Sequence, residues 1–282
     1  MIIADDAADG RVDSIVAGAA GLEVRVVETG SANIAIARNA TLDAATGDWL
    51  AFVDDDTEPD PDWLRSFLDT VRRNRADGGV GRVVACLPHE APSVFAKART
   101  FDHWPGESGV SIRTGWTSNA IVRREKVLAM RLRFDEERGR TGGEDTEFFA
   151  SFAAGGGRLV ACPEAVVRER VPVERARLAY VRARALRHGY DYAHSTRLSM
   201  GRITRLAVPI RSVAKIIAFA PSAVATRAFA PALSLWFRSR YWLAFGELRA
   251  FAGPAPAGPY RLSREAPVAT DRGGEASRPD TA

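Results

Sequence analysis

The stretch Trp49-Leu50-Ala51-Phe52-Val53-Asp54-Asp55-Asp56-Thr57-Glu58-Pro59-Asp60-Pro61 decides the fold. Its five apolar residues, with aromatic and β-branched members, read as a buried strand. That strand stops in three consecutive carboxylates, which repel one another strongly when crowded and partly desolvated. A divalent cation relieves such crowding, and oxygen-only ligands select Mg²⁺ or Mn²⁺, usually shared with the phosphates of a substrate. Read in isolation, the same Asp and Pro residues also suit a plain solvated turn.

Working outward, Ile2-Ile3-Ala4 reads as a strand ending at Asp5-Asp6, and Leu22 to Glu28 alternates as a second, with a short helical link from Arg11 to Ala17. Ala32 to Ala45 is helical, and a helix opens at Pro61 and runs to about Arg75. Gly79 to Cys86 returns as a strand. Strands alternating with helices imply a mostly parallel sheet. Leu87 to Thr114 loses periodicity and is expected to cover one face, before Thr117 to Arg123 resumes as a strand. After Gly142-Gly143 a helix carries Glu144, Asp145 and Glu147 in its first turn, where the dipole favours acids, and Phe148, Phe149 and Phe152 on one face. Two short strands, Arg158 to Ala161 and Ala165 to Glu169, precede a long basic helix from Glu174 to about Ser199.

The chain has 282 residues, of which 46% are hydrophobic, enough for a large core. Its two cysteines, Cys86 and Cys162, are too few and too distant for a disulfide framework or a zinc site, so a reducing, cytoplasmic setting is expected. Net charge is only +4. Its distribution is uneven, however, because no acidic residue lies between Tyr192 and Gly246 while Arg197, Arg202, Arg205, Arg211, Lys215, Arg227, Arg238 and Arg240 do. That asymmetry points to an anionic surface. The intervening residues are too apolar for a nucleic-acid arm, so the cytoplasmic face of a membrane is the expected partner and nucleic acid is not. Pro209, Pro221 and Pro231 are expected to cut this section into helices too short to span a bilayer. From Gly253 onward the composition reads as a disordered tail. The expected division is a catalytic domain over 1–172, a basic apolar helical region over 173–252 and a tail over 253–282.

In open parallel sheets ligands bind beyond the carboxyl ends of the strands, where Asp5-Asp6, the Asp54 to Asp56 cluster and the Gly142 to Asp145 loop would gather. A metal on Asp54 or Asp56 would neutralise a diphosphate, and Asp145 would remain for proton abstraction. Ile3-Ala4-Asp5-Asp6, then Asn33 to Asn39, then Gly47 to Asp56, then Gly139 to Phe149, in this order and spacing, resemble the family 2 inverting glycosyltransferases of the GT-A fold. Within that family the chain is most similar to the exopolysaccharide enzymes of the succinoglycan glucosyltransferase type, over roughly residues 1 to 200.

The resemblance implies an α/β fold of the GT-A nucleotide-sugar-binding type with a C-terminal helical extension. It places nucleotide contacts on Asp5, Asp6, Arg38, Asn39 and Asp54, a Mg²⁺ or Mn²⁺ on the Asp-x-Asp pair Asp54 and Asp56, and the catalytic base on Asp145. It further implies a UDP-sugar donor, a polysaccharide or lipid-linked acceptor and a peripheral place on the inner membrane. Trp116, Asn119 and Glu144 are candidate acceptor contacts, with Trp104 beside them, and Arg187 occupies the place of a pyrophosphate contact without matching the family's motif. His103 and His188 are expected to be ordinary polar residues. One departure stands out: the family's first strand and helix have no counterpart ahead of Ile2, so the expected sheet lacks its first strand and nucleotide affinity should suffer. Either Met1 is a misplaced start or the chain is a truncated relative. The competing readings are accordingly a non-catalytic partner subunit that kept the fold and a nucleotidyltransferase.

Overall fold

The structure is a computed structural model that describes residues 1–256, except 8, 10, 19, 20, 22, 200 and 201, and without the side chains of 196, 198, 199 and 202–205. In chain order the elements are β1 (Ile2–Asp5), α1 (Arg11–Ala17), β2 (Arg25–Glu28), α2 (Ile34–Ala44), β3 (Trp49–Val53), β4 (Thr57–Pro59), α3 (Trp63–Arg73), β5 (Gly78–Cys86), α4 (Ser93–Lys97), β6 (Ser111–Ile112), β7 (Asn119–Arg123), α5 (Arg124–Ala129), α6 (Glu144–Ala154) and β8 (Leu159–Arg170). A 3₁₀ turn, Val173–Arg175, leads to three long helices, α7 (Leu178–Ser199), α8 (Arg202–Ala225) and α9 (Pro231–Ala252). Most of the expected tail lies outside the described residues, from 257 onward.

The α/β class is as expected, but the sheet is less parallel than strand and helix alternation predicts. β1 and β2 form a separate parallel pair, while six strands make the main sheet in the order β3-β7-β5-β8-β4, with β6 also on β8. Within it only β5 and β8 run parallel, and β3–β7, β5–β7, β4–β8 and β6–β8 are antiparallel. Alternation along the chain does not specify which strands become neighbours, and β7 enters between β3 and β5 in the opposite sense. β3 is therefore an edge strand, and its Ala51 and Val53 are exposed while Leu50 points into the core.

The two short strands expected near residues 158 to 169 are one strand with an interruption. The parallel register of β5 on β8 jumps between Gly81 and Arg82, pairing Gly81 with Cys162 but Arg82 with Val166. Pro163 at the jump has no N–H to give to the ladder. The displaced carbonyls are recovered by Asn119 at the start of β7, whose Nδ2 donates to Arg82 O and Ala165 O, each at 2.8 Å, while its Oδ1 accepts from Trp63 Nε1 at 2.7 Å. Gly81 admits this amide because a Cβ there would meet Asn119 Nδ2 and Ala165 O at 2.4 Å. Asn119 is fully buried by these contacts, which corrects its expected place in an acceptor groove.

Two further corrections concern the helical region. Pro209 and Pro221 lie inside α8 rather than ending it, so that helix runs for 24 residues, and only Pro231 begins a new one. Leu206–Ala225 is thereby long and apolar enough to cross a membrane by length and composition. α7 and α9 cross with backbone in contact: a Cβ on Gly189 would fall 1.9 Å from Leu243 O, and one on Gly246 would fall 2.1 Å from Leu186 O.

Replacing Asn119 by Ala leaves two buried carbonyls and the Trp63 indole N–H without a partner. It should lower the unfolding free energy by about 2–4 kcal/mol, read as a shifted urea midpoint at unchanged slope. An unmoved midpoint would refute the clamp.

Candidate active site

The carboxylate corner is built by aromatic packing behind it. Phe52 of β3 lies edge-on to Phe134 and Phe148, at 6.0 and 6.3 Å, and Phe134 stacks on Phe148 at 4.3 Å with an 11° interplanar angle. Phe148, Phe149 and Phe152, the expected inner face of α6, are all at most 2% exposed. Phe52 is two residues before Asp54 and Phe148 three after Asp145, so burying these rings brings the end of β3 and the start of α6 together. Gly142 and Gly143, both at φ +89°, turn the chain into α6 through left-handed backbone that favours glycine.

At the junction sits Arg38 of α2. Its guanidinium binds Glu144 Oε1 through Nη1 and lies 3.6 Å from Asp54 Oδ1 through Nη2, with the Phe134 ring 5.7 Å beneath. A second arginine, Arg175, lies 3.9 Å from Asp56 and 3.6 Å from Glu169. Each outer acid of the triplet thus has one cation beside it. The triplet itself is a fixed turn, since Thr57 N and Oγ1 both donate to Asp54 O and Arg170 N donates to Asp56 O.

These cations do not cancel the field. Burial pushes the Asp54 carboxyl up to about 6, Arg38 opposes that shift, and Asp56, Asp145 and Asp55 add to it. The Asp56 carboxyl is also raised, by burial and then by Asp55, against Arg175. Glu144 is raised by burial and by Asp145, and its Oε2 is buried without a hydrogen-bond partner. Asp145 keeps one oxygen accepting from Thr146 N at 2.6 Å. Asp54, Asp56, Glu144 and Asp145 therefore lie in one another's field, with Arg38 and Arg175 as the cations beside them.

Among the described residues no three His, Cys, Asp or Glu side chains converge as a ready-made metal cage. The donor set nonetheless fits a small divalent ion, because Mg²⁺ typically takes one or two carboxylates and completes its shell with water and substrate phosphates. The Asp54 carboxyl is raised first by burial, and Asp56, Asp145 and Asp55 add to that; a cation beside it would favour its charged form.

Other expected site residues are placed differently. Asn39 is 3% exposed; its Nδ2 donates to Phe134 O and Glu136 Oε1, and its Oδ1 accepts from Phe134 N, so it clamps the 134–136 segment onto α2 rather than facing a nucleotide. Glu144 is the buried counter-ion of Arg38 rather than an exposed acceptor contact. Trp116 packs on the core and edge-on to His103 at 5.0 Å, with its indole N–H buried and unpartnered, whereas Trp104 is 52% exposed. Asp6 accepts from Thr29 Oγ1, Ser31 N and Ser31 Oγ, and although burial acts to raise its carboxyl these bonds outweigh it and hold it low. Asp5 is buried and accepts from Ala7 N. Both lie on or just beyond the separate β1–β2 pair. His103 is half-buried, and desolvation and then Arg184 push its imidazole well down; the same causes push His188 down to about 3, although its side chain lies at the surface.

Arg187 is committed elsewhere than at a pyrophosphate. Its Nε donates to Asp191 at 2.7 Å and its Nη2 to Gly142 O, while Arg138 Nη2 donates to the other Asp191 oxygen at 2.6 Å and Arg138 Nη1 lies 3.1 Å from Glu147. Asp191 also closes on Gly143, where a Cβ would fall 2.5 Å from its carboxylate. This buried network pins the glycine turn ahead of α6 to α7. Reading the sequence missed Arg138 and Asp191, yet a signal was present: Asp191 is the one acid in α7, four residues after Arg187.

The family model described as Glycosyl transferase family 2 matches residues 1–135. Residues 1–135 are a glycosyl transferase family 2 domain. The succinoglycan biosynthesis protein ExoM of Rhizobium meliloti (strain 1021) is 38% identical over 195 residues, which cover 68% of this chain and 63% of the relative. The mannosyltransferase PcManGT of Pyrobaculum calidifontis, solved with GDP-Man and Mn²⁺, superposes with a TM-score of 0.54 at 19% identity, over 89% of this chain and 77% of that one. That likeness shows the shared GT-A fold. The family domain ends before α6, so Glu144 and Asp145 come from beyond the matched segment.

A raised carboxyl pKa means that the folded protein binds the proton more tightly, so stability is lost as pH rises through about 6. Asp54 keeps 38% of its side chain open to water, which softens the effect. Asp54→Asn should raise the melting temperature at pH 7 by about 1–3 °C, with the gap closing toward pH 5. An equal gap at both pH values would contradict the electrostatic origin.

Proposed function

We propose that this chain is a metal-dependent inverting glycosyltransferase that moves a sugar from a nucleotide diphosphate sugar, a UDP-sugar by preference, to a polysaccharide or lipid-linked acceptor. One observation carries the reading: Asp54 and Asp145, far apart in sequence, meet around Arg38 where the end of β3 faces the start of α6, with Asp56 beside Asp54. The succinoglycan role in the relative's name supports the polysaccharide acceptor, and the Mn²⁺ and GDP-Man of the mannosyltransferase support the donor class and metal. We further infer that residues 1–172 form the catalytic domain and that 173–252 hold it at the cytoplasmic face of the membrane.

In this reading Asp54 and Asp56 hold Mg²⁺ or Mn²⁺, which when bound draws electron density toward the departing diphosphate. Asp145 accepts the proton of an acceptor hydroxyl as that oxygen bonds to the anomeric carbon and the bond to the diphosphate oxygen breaks. Attack from the face opposite the leaving group inverts the configuration, so an α-linked donor gives a β-linked product. Thr146 orients the base through its amide, and the Arg138–Asp191–Arg187 network fixes the turn from which the base projects. Arg38 sits between Glu144 and Asp54 and opposes the rise in the Asp54 carboxyl, favouring its charged form. A non-catalytic partner subunit is the second reading; it is favoured by the division of the sheet, which puts Asp5 and Asp6 on a separate pair of strands.

Asp145→Asn should cut turnover by about 10²–10⁴-fold with little change in KM for the donor, measured with a panel of nucleotide sugars and a membrane-extract acceptor. Undiminished transfer by that variant would remove Asp145 as the base. Chelation with EDTA should abolish transfer and added Mn²⁺ should restore it. Wild-type protein that turns over no donor with Mn²⁺ present would favour the partner-subunit reading.

A further inference from the structure

α8 is fastened along one side only. Ser212 Oγ and Lys215 Nζ both bind Glu247 of α9, whose side chain is 1% exposed, and Val208 is buried against α7 and α9 residues. On the other side Leu206, Ile210, Val213, Ile217 and Val224 are 69, 72, 45, 69 and 76% exposed. Their spacings of four, three, four and seven place them in one line on a helix. Ala207, Ala214, Ala218 and Pro221, also exposed, fill in beside that line, and Phe229, 77% exposed, extends it past the helix end. From Leu206 to Val224 the face is about 27 Å long. Contiguous aliphatic exposure on this scale marks an interaction surface.

The charges around this face choose its occupant. Arg211 is exposed at its edge, lying against Tyr192 with Nη2 3.3 Å from the Tyr192 hydroxyl, and Arg227 follows the helix. No acidic residue lies between Tyr192 and Gly246. A second copy docked symmetrically would set the same cations against each other across the seam. A bilayer carrying anionic headgroups offers hydrocarbon to the stripe and phosphate to the arginines. Depth follows from the inner face: a spanning α8 would draw the Lys215–Glu247 pair and Arg211 toward hydrocarbon, while an in-plane α8 keeps the ion pair on the protein side.

We propose that α8 lies in the plane of an anionic bilayer surface, with Leu206, Ile210, Val213, Ile217 and Val224 sunk to the headgroup boundary and Arg211 and Arg227 at the phosphates. This deepens the peripheral placement proposed above, and rests on it, by naming the face that makes contact.

The test is cosedimentation of the full chain with phosphatidylcholine vesicles, with and without phosphatidylglycerol. Wild type should pellet with the anionic vesicles and far less with neutral ones. Ile210→Glu/Ile217→Glu should weaken anionic-vesicle binding at least about tenfold, and the gentler Ile210→Ala/Ile217→Ala should weaken it in the same direction. Leu128→Glu, on an exposed position of α5, should bind as wild type does. Wild type that ignores anionic vesicles would overturn both this inference and the peripheral placement. Wild type that binds while both α8 pairs bind equally well would overturn the inference alone. A wild-type dimer in light scattering that the Glu pair dissolves, without vesicle binding, would assign the face to a second copy and overturn the bilayer.

Discussion

The structure depends first on the guanidinium of Arg38, held between Glu144 and Asp54 over the ring of Phe134. Without a cation there, closing α6 onto the end of β3 would set the buried Glu144 and the half-buried Asp145 against Asp54 and Asp56. The carboxyls of Asp54, Asp56 and Glu144 all remain raised, first by burial and then by the neighbouring acids, against the lowering effect of the arginines. In the proposed reading, a divalent cation would enter this corner. A structural salt-bridge network would have been balanced; this one is left short of positive charge in the place where a metal diphosphate would bring it.

Rigidity around the corner comes from polar groups that satisfy irregular backbone. Asn119 restores the carbonyls displaced where β5 and β8 change register, Asn39 holds the 134–136 segment to α2, and Asp191 with Arg138 and Arg187 holds the Gly142–Gly143 turn to α7. All three are polar and largely buried, and each ties together segments distant in the chain, although the Arg138 Nε is left without a partner. The last also joins the Gly142–Gly143 turn to the helical region, since α7 packs on α9 at the Gly189 and Gly246 contact and α9 carries α8 through Glu247. A continuous set of packed elements thus runs from Asp145 to the exposed apolar face of α8.

Much of the site was legible because its residues obey local rules. The Asp54 to Asp56 turn follows a strand of apolar residues, and Asp145 stands in the first turn of a helix whose Phe148, Phe149 and Phe152 share a face. Polar residues with long-range partners were not legible. Asn39 and Asn119 looked like ligand contacts because an asparagine shows its chemistry in sequence but not its direction, and Arg187 looked like a phosphate contact for the same reason. Pro209 and Pro221 looked like helix ends because a proline's lost hydrogen bond is visible in sequence, whereas the packing of α8 on α9 that outweighs it is not.

By itself the sequence determined the α/β class, the positions of most elements to within a few residues, the acidic corner, and the basic, acid-free run from Tyr192 to Gly246. Each of these rests on interactions between residues near in the chain: periodicity, turn chemistry and charge spacing. Tertiary structure alone decided the strand neighbours, the antiparallel sense of β7 and the single long α8. It also decided which side of α8 stays bare and that Arg38 rather than a third acid completes the corner. These depend on which distant surfaces exclude water together, and a linear pattern carries no record of that choice.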